Sequence, residues 1–369
     1  MQEERRMILR MLEEGKLTAA EAEALLAALG DGSAEAKREV GEEPWSHLEI
    51  MGAGIASVVA EAAERFSRSL EHTLGEGLAK LPRLVVSSSE AHPEHTQVVR
   101  GPVGPGQVLP VSLSNVNGPI RVQGWSEDYY QLTVVQRMRG RSRDALDSHL
   151  YEVDWEDNAV KDEFRLNVPD FGDRSVSLHL MVPQSRMYEV RLTSHNGSLR
   201  VENLQATTLT LETVNGSMGL RSVTARSIQG RGENGSCAME GVEAESIRHE
   251  LGNGSFRISA GAREMDLTTT NGSINARLAA VTGCAEHRLR TSHGSVRVSL
   301  PRQGDLGVEL DLETSIGRVS TDLEDLEIIE HKRSGGGTAL KARTAGNEAS
   351  AHQLRLEASS VTGSITVSN

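Results

Sequence analysis

Aromatic residues are scarce in this chain. Three Trp, four Tyr and four Phe supply only 3% of its 369 residues, so a core built on stacked rings is excluded and aliphatic side chains must fill the interior. Cysteine is rarer still: Cys237 and Cys284 are too few for a disulfide framework or a cysteine-rich metal site. No run of 18 apolar residues occurs, which excludes a membrane-spanning helix. The N-terminus, Met1 to Arg6, is charged and passes directly into a helical pattern without an apolar h-region. A signal peptide is therefore not expected, and the cytoplasm is the expected address. Cations are in the minority, with 39 Lys and Arg against 52 Asp and Glu. The net charge of −13 argues against a nucleic-acid partner, which calls for clustered positive charge.

What is abundant is glycine, 36 in all, much of it on a period. Asn-Gly-Ser occurs at Asn196, Asn215, Asn234, Asn253 and Asn271 and continues as His293-Gly294-Ser295. The glycines Gly197, Gly216, Gly235, Gly254, Gly272 and Gly294 recur at nearly constant steps, the shortest from Gly254 to Gly272 and the longest from Gly272 to Gly294. A period of roughly 20 residues is the mark of a solenoid, in which each repeat buries its apolar face only against its neighbours.

Aligning the repeats on that glycine separates inward from outward positions. Seven residues before it stand Val190, Leu209, Ile228, Ile247, Met265 and His287, and two after it Leu199, Met218, Cys237, Phe256, Ile274 and Val296. Each coil thus reads as two short strands with alternating inward residues, joined through a corner where Asn and Gly tolerate φ > 0. The predicted fold is an all-β parallel β-solenoid with coils of about 19–23 residues, preceded by a small α-helical module. Stacking in register predicts an asparagine ladder along the corner. Six residues before the glycine, Arg248, Asp266, Arg288 and Asp311 alternate in sign, which predicts that their coils stack in that order.

No catalytic, cofactor-binding or metal-ligating set is expected. Asp266 and Asp311 face outward, as the acid and base of a glycan-cleaving β-helix would, but the charge ladder already accounts for them. His249 and His287 fall in different inward columns and make a poor metal pair. The Asp spacing of calcium-binding repeats, the hexapeptide rhythm of acyltransferase helices and a nucleophile elbow are all missing.

The remaining organisation is read from pattern changes. Residues 1–30 predict a helical hairpin, with Gly15 ending one helix and Thr18 and Glu21 forming a capping box for the next. Residues 31–107 predict a linker carrying an amphipathic helix over about 50–81, whose face Ile55, Val59, Phe66 and Leu70 suits helix docking or, alternatively, contact with a membrane surface. Residues 108–187 predict an irregular β entry layer, and residues 188–369 the solenoid proper. Glu324 to Ser350 reads as an insertion or mobile loop. The last copy, Leu354 to Val367, reads as an uncapped coil whose Leu354, Leu356, Ile365 and Val367 would offer an edge for self-association.

The turns, the coil length and the preceding strand His179 to Pro183 resemble the DUF4097 adhesin-type β-solenoid family. The stretch Ile8 to Leu29 resembles the SHOCT-like module that precedes such domains in LiaX/YvlB-type envelope-stress proteins. The resemblance implies a non-enzymatic β-solenoid linked, in some members, to bacterial cell-envelope stress. A protein partner or self-association is the expected mode of action. Self-assembly end to end is the alternative, and a polysaccharide-active enzyme a more distant one.

Overall fold

The computed structural model describes residues 94–138, 163–172, 174–345 and 350–369, with the backbone of 84–88, all within the unit Lys80–Asn369. The predicted hairpin 1–30 and the helix over 50–81 with Ile55, Val59, Phe66 and Leu70 lie outside the described residues.

Regular structure among the described residues is entirely β. The leading strands are β1 (Leu84–Ser88), β2 (Glu94–Pro102), β3 (Val108–Asn117), β4 (Ile120–Trp125), β5 (Tyr129–Met138), β6 (Phe164–Val168) and β7 (Arg174–Pro183). The repeats follow as β8 (Met187–Asn196), β9 (Leu199–Asn215), β10 (Met218–Asn234), β11 (Cys237–Asn253), β12 (Phe256–Asn271), β13 (Ile274–Leu278), β14 (Cys284–His293) and β15 (Val296–Ser299). The closing strands are β16 (Leu306–Ile316), β17 (Val319–Thr321), β18 (Leu326–Ser334), β19 (Gly337–Thr344), β20 (His352–Thr362) and β21 (Ile365–Ser368).

From β8 to β15 the coils stack in chain order and in parallel, so that Asn196, Asn215, Asn234, Asn253, Asn271 and His293 form one column. Inward side chains of successive coils merge into one largely aliphatic core that runs from Leu109 to Val367. Burial of that row is the main favourable contribution to the fold, because each coil alone leaves both of its stacking edges unpaired.

A second corner sets the length of the repeat. Asn203, Ser222 and Gly241 adopt the left-handed region, with φ of 53, 51 and 60°, just before the buried Leu204, Val223 and Val242. The next coil omits this residue. Glu240 pairs with Ser259 and Val242 with Ala260, so Gly241 bulges and the step from Gly254 to Gly272 is shorter by one. The longer step to Gly294 is taken up between β13 and β14.

At both ends the stacking order departs from chain order. The coil β3/β4 lies between β6/β7 and β8/β9, and β7 continues through antiparallel β5, β2 and β1. The entry layer thus includes β1 and β2, which lie within the span 31–107 read from sequence as a linker. At the other end, β20 pairs with β14 on one side and β16 on the other, and β21 with β15 and β17. The expectation of an uncapped final coil is therefore corrected. Leu354, Leu356, Ile365 and Val367 are at most 1% exposed and belong to the core. The end of the stack is built instead by the antiparallel hairpin β18/β19, which docks β19 on β16, so that of the two readings of this segment it is an insertion and not a mobile loop over β18 and β19.

The same insertion corrects the charge column. Arg288 meets Glu357, not Asp311, and Glu357 in turn meets Asp311. This like-charged pair is relieved by flanking cations: Arg288 and Arg355 each reach Glu357 at 3.2 Å, and Lys341 reaches Asp311 at 3.1 Å.

Candidate binding surface

Two side-chain ladders and a stack of glycines join the coils at the Asn-Gly corner. On the outer corner each asparagine amide donates to the asparagine one coil earlier: Asn196 to Asn117 at 3.0 Å, Asn215 to Asn196 at 2.9 Å, then Asn234, Asn253 and Asn271 at 3.0, 3.0 and 2.7 Å. None of these asparagines has positive φ, which corrects the expectation that they serve the turn by their backbone.

Glycine is required beside them for a steric reason. A Cβ on Gly216, Gly235, Gly254, Gly272 or Gly294 would lie 2.0 to 2.1 Å from the carbonyl oxygen of the glycine one coil earlier, and a Cβ on Gly197 2.0 Å from that of Gly118. The second side-chain ladder is internal. Thr213, Thr269 and Thr291 donate to the carbonyls of Gly197, Gly254 and Gly272, and Ser360 and Thr314 continue the series to Gly294 and Gly363. Those glycine carbonyls turn inward and need a donor there. The recurring Ser or Thr three positions before the glycine is visible in the repeat alignment, a signal that sequence reasoning left unused.

The ladder lapses at Gly232 and Leu251, and the most polar part of the core lies beside that gap. His249 is 1% exposed, lies 3.9 Å from the Cys237 sulfur through Nδ1, and meets Phe256 edge to face at 5.5 Å. It occupies the space above Gly230, where a Cβ would come within 1.8 Å of the imidazole. The contact has the composition of a catalytic Cys-His pair but not its physics. Burial pushes the thiol up to about 12 and the imidazole down to about 4, so both are neutral, and neither meets solvent. His287, one column away, donates from Nε2 to the Ala262 carbonyl at 2.9 Å, and burial lowers its pKa as well. Among the described residues no group of three potential metal ligands lies together.

Reactivity should divide the two cysteines. Treatment of the folded protein with iodoacetamide near pH 8 is expected to alkylate Cys284, which is exposed, and to leave Cys237 unmodified until the chain unfolds. Peptide mass mapping before and after denaturation checks this.

Stability is also expected to fall on acidification. His249 and His179 have folded-state values of about 4, His179 through burial and then the Arg121 charge. Their unfolded forms bind a proton near 6.5, so the penalty is absent above that pH, grows as pH falls, and is complete below about 4. For the fully enclosed His249 the difference corresponds to roughly 3 kcal/mol. Urea unfolding of His249→Leu between pH 7 and 4 is expected to show a shallower pH dependence than the parent.

The candidate surface lies on the outside of the stack. A shallow groove of about 630 Å³ crosses β10, β11, β12, β14, β20 and β16. Arg226, Arg263 and Arg355 line it together with Glu245, Glu264, Glu286 and Glu309, and Ser227, Ser246 and Cys284 lie between them. Its walls are stacked strands, so the spacing of these charges is fixed by the strand separation of about 4.8 Å. Asp266 and Asp311 are not brought together. They stand three strands apart in their column, about 14 Å, beyond the reach of an acid–base pair on a glycosidic bond.

A family model described as Toastrack DUF4097 matches residues 113–368, and one described as a SHOCT-like domain matches residues 3–34. Among solved structures, the chain is similar to a Clostridium sporogenes ATCC 15579 protein provisionally named a cell adhesion protein. That likeness has 12% identity, 74% coverage of this chain and 99% of the other, and a TM-score of 0.21. It is also similar to a provisionally named adhesin of Bacteroides fragilis NCTC 9343, at 12% identity, 74% and 96% coverage and a TM-score of 0.37.

Proposed function

We propose a function from the premise that this chain belongs to the Toastrack DUF4097 family: it is a non-enzymatic binding protein that uses its solenoid as a rigid display for charged groups. The observation that carries this reading is the groove over six stacked strands, with cations and carboxylates interleaved at fixed spacing. A polar polymer or an extended peptide carrying both signs would meet matching charges along it. The Cys237–His249 contact supports the same reading, since both residues are enclosed in the core, while the outward Asp266 and Asp311 are paired with Arg290 and Lys341.

The SHOCT-like match ahead of the solenoid supports a role for the N-terminal module in joining this display to a partner in envelope-stress signalling. Photo-crosslinking from position 246 in the native host, followed by mass spectrometry, tests the groove. The expected product is one that Arg226→Glu with Arg263→Glu abolishes. A product unchanged in that variant places binding on another face. Turnover of any glycan that Asp266→Asn abolishes would overturn the non-enzymatic reading.

A further inference from the structure

We propose that the β18 end of the stack is a self-association edge that pairs antiparallel with β18 of a second copy. The register of the terminal hairpin shows why this end is incomplete. Leu310 pairs with Ala342 and Ala342 with Ile328, so Ile328 is the last member of an inward column that is core everywhere else. Ala342 is fully buried, yet Ile328 is 63% exposed, and the adjacent Ile329 is 62% exposed. Among the described residues no strand lies against the outer edge of β18, so its backbone groups on that side have no strand partner.

The occupant follows from the charge order along the strand. Glu327 and Glu330 lie toward its start, and His331, Lys332 and Arg333 toward its end. Charges on an edge strand normally discourage pairing. Here they are segregated by sign, so an antiparallel copy of the same strand brings acid against base.

The bulge at Ile329 fixes which register works. Leu326, Ile328, His331 and Arg333 share the core-side face, because they pair with Thr344, Ala342, Leu340 and Thr338. Opposing Glu327 to Lys332 of the second copy keeps every pair on a common face and sets Ile328 against His331. The two-fold repeats both contacts. The intramolecular partners, Arg343 at 3.1 Å from Glu327 and Glu330 beside Lys332, sit on the same exposed side and extend the ionic pair into a cluster. This inference does not depend on which face binds a ligand.

Sedimentation velocity of the full-length protein tests it. The wild type is expected to form a dimer, and Ile328→Lys or Glu327→Lys to raise its dissociation constant at least about tenfold without changing the circular dichroism spectrum. Glu327→Lys combined with Lys332→Glu is expected to restore most of that loss, which a general surface effect would not do. Hydrogen exchange at β18 should be slow in the dimer and fast in Ile328→Lys. A wild type that stays monomeric up to about 100 μM overturns the proposal and leaves the edge to a strand of another protein. A dimer indifferent to all three variants overturns it too, by placing the interface elsewhere.

Discussion

Deleting His352–Asn369 is expected to dismantle the C-terminal third of the solenoid, although it removes only the last two strands. Those strands are paired on both edges, β20 with β14 and β16, β21 with β15 and β17. Without them, β14 and β15 lose a neighbour each, and the β16–β19 unit loses its stacking contact with the repeats. A solenoid is held by nearest-neighbour interfaces, so losing an internal coil costs two of them at once. Hydrogen exchange should show residues 284–344 exposed in the truncated protein, with the coils up to β12 still protected. Trimming a free end would leave 284–344 protected.

A milder version acts through packing. Leu356→Ala removes a fully buried side chain between two coils and should cost about 2–5 kcal/mol. Ile328→Ala at the exposed edge should cost little in the monomer. Urea titrations of both variants make the comparison.

The second large effect is expected at the glycine corner. Gly235→Ala places a Cβ 2.1 Å from the Gly216 carbonyl oxygen, at a residue whose φ of 145° already disfavours a side chain. The obstruction is backbone held by the strands on either side, so relief requires two coils to separate and the hydrogen bond from Gly216 N to Asn234 O to lengthen. The cost should reach about 4 kcal/mol, at the high end for a single substitution. Gly304→Ala, where nothing lies within 4 Å of the added atom, is the matched control and should be near neutral. Differential scanning calorimetry of the two variants distinguishes a steric corner from a general cost of replacing glycine. A small effect at Gly235 would mean that the coils are less tightly stacked than their glycine contacts require.

The candidate groove was only partly legible from sequence. Most of its residues lie eight or nine positions before the corner glycine, as Ser227, Ser246, Glu264, Glu286 and Glu309 do at eight, and are regular enough to align. What alignment lacked was Arg355 in its true place, between Glu286 and Glu309 in the stack. The Cys237–His249 contact was missed for a related reason. The two residues lie 12 apart within β11, on either side of the corner at Gly241, and the empty volume of Gly230 one coil earlier accommodates the ring.

The coil was legible in the order of residues alone: its period, its inward columns, the asparagine and glycine corner and the parallel register between consecutive repeats. These follow from local rules, since a period of two sets the face and the corner sets the phase. The order of the coils at the ends, the insertion of β3/β4 and β20/β21, and the hairpin left as the final edge emerge only in the folded chain. Every coil presents nearly the same columns to its neighbours, so the pattern fits any order of stacking. The choice falls to the connections and to the one arrangement that buries Leu354, Leu356, Ile365 and Val367 on both sides.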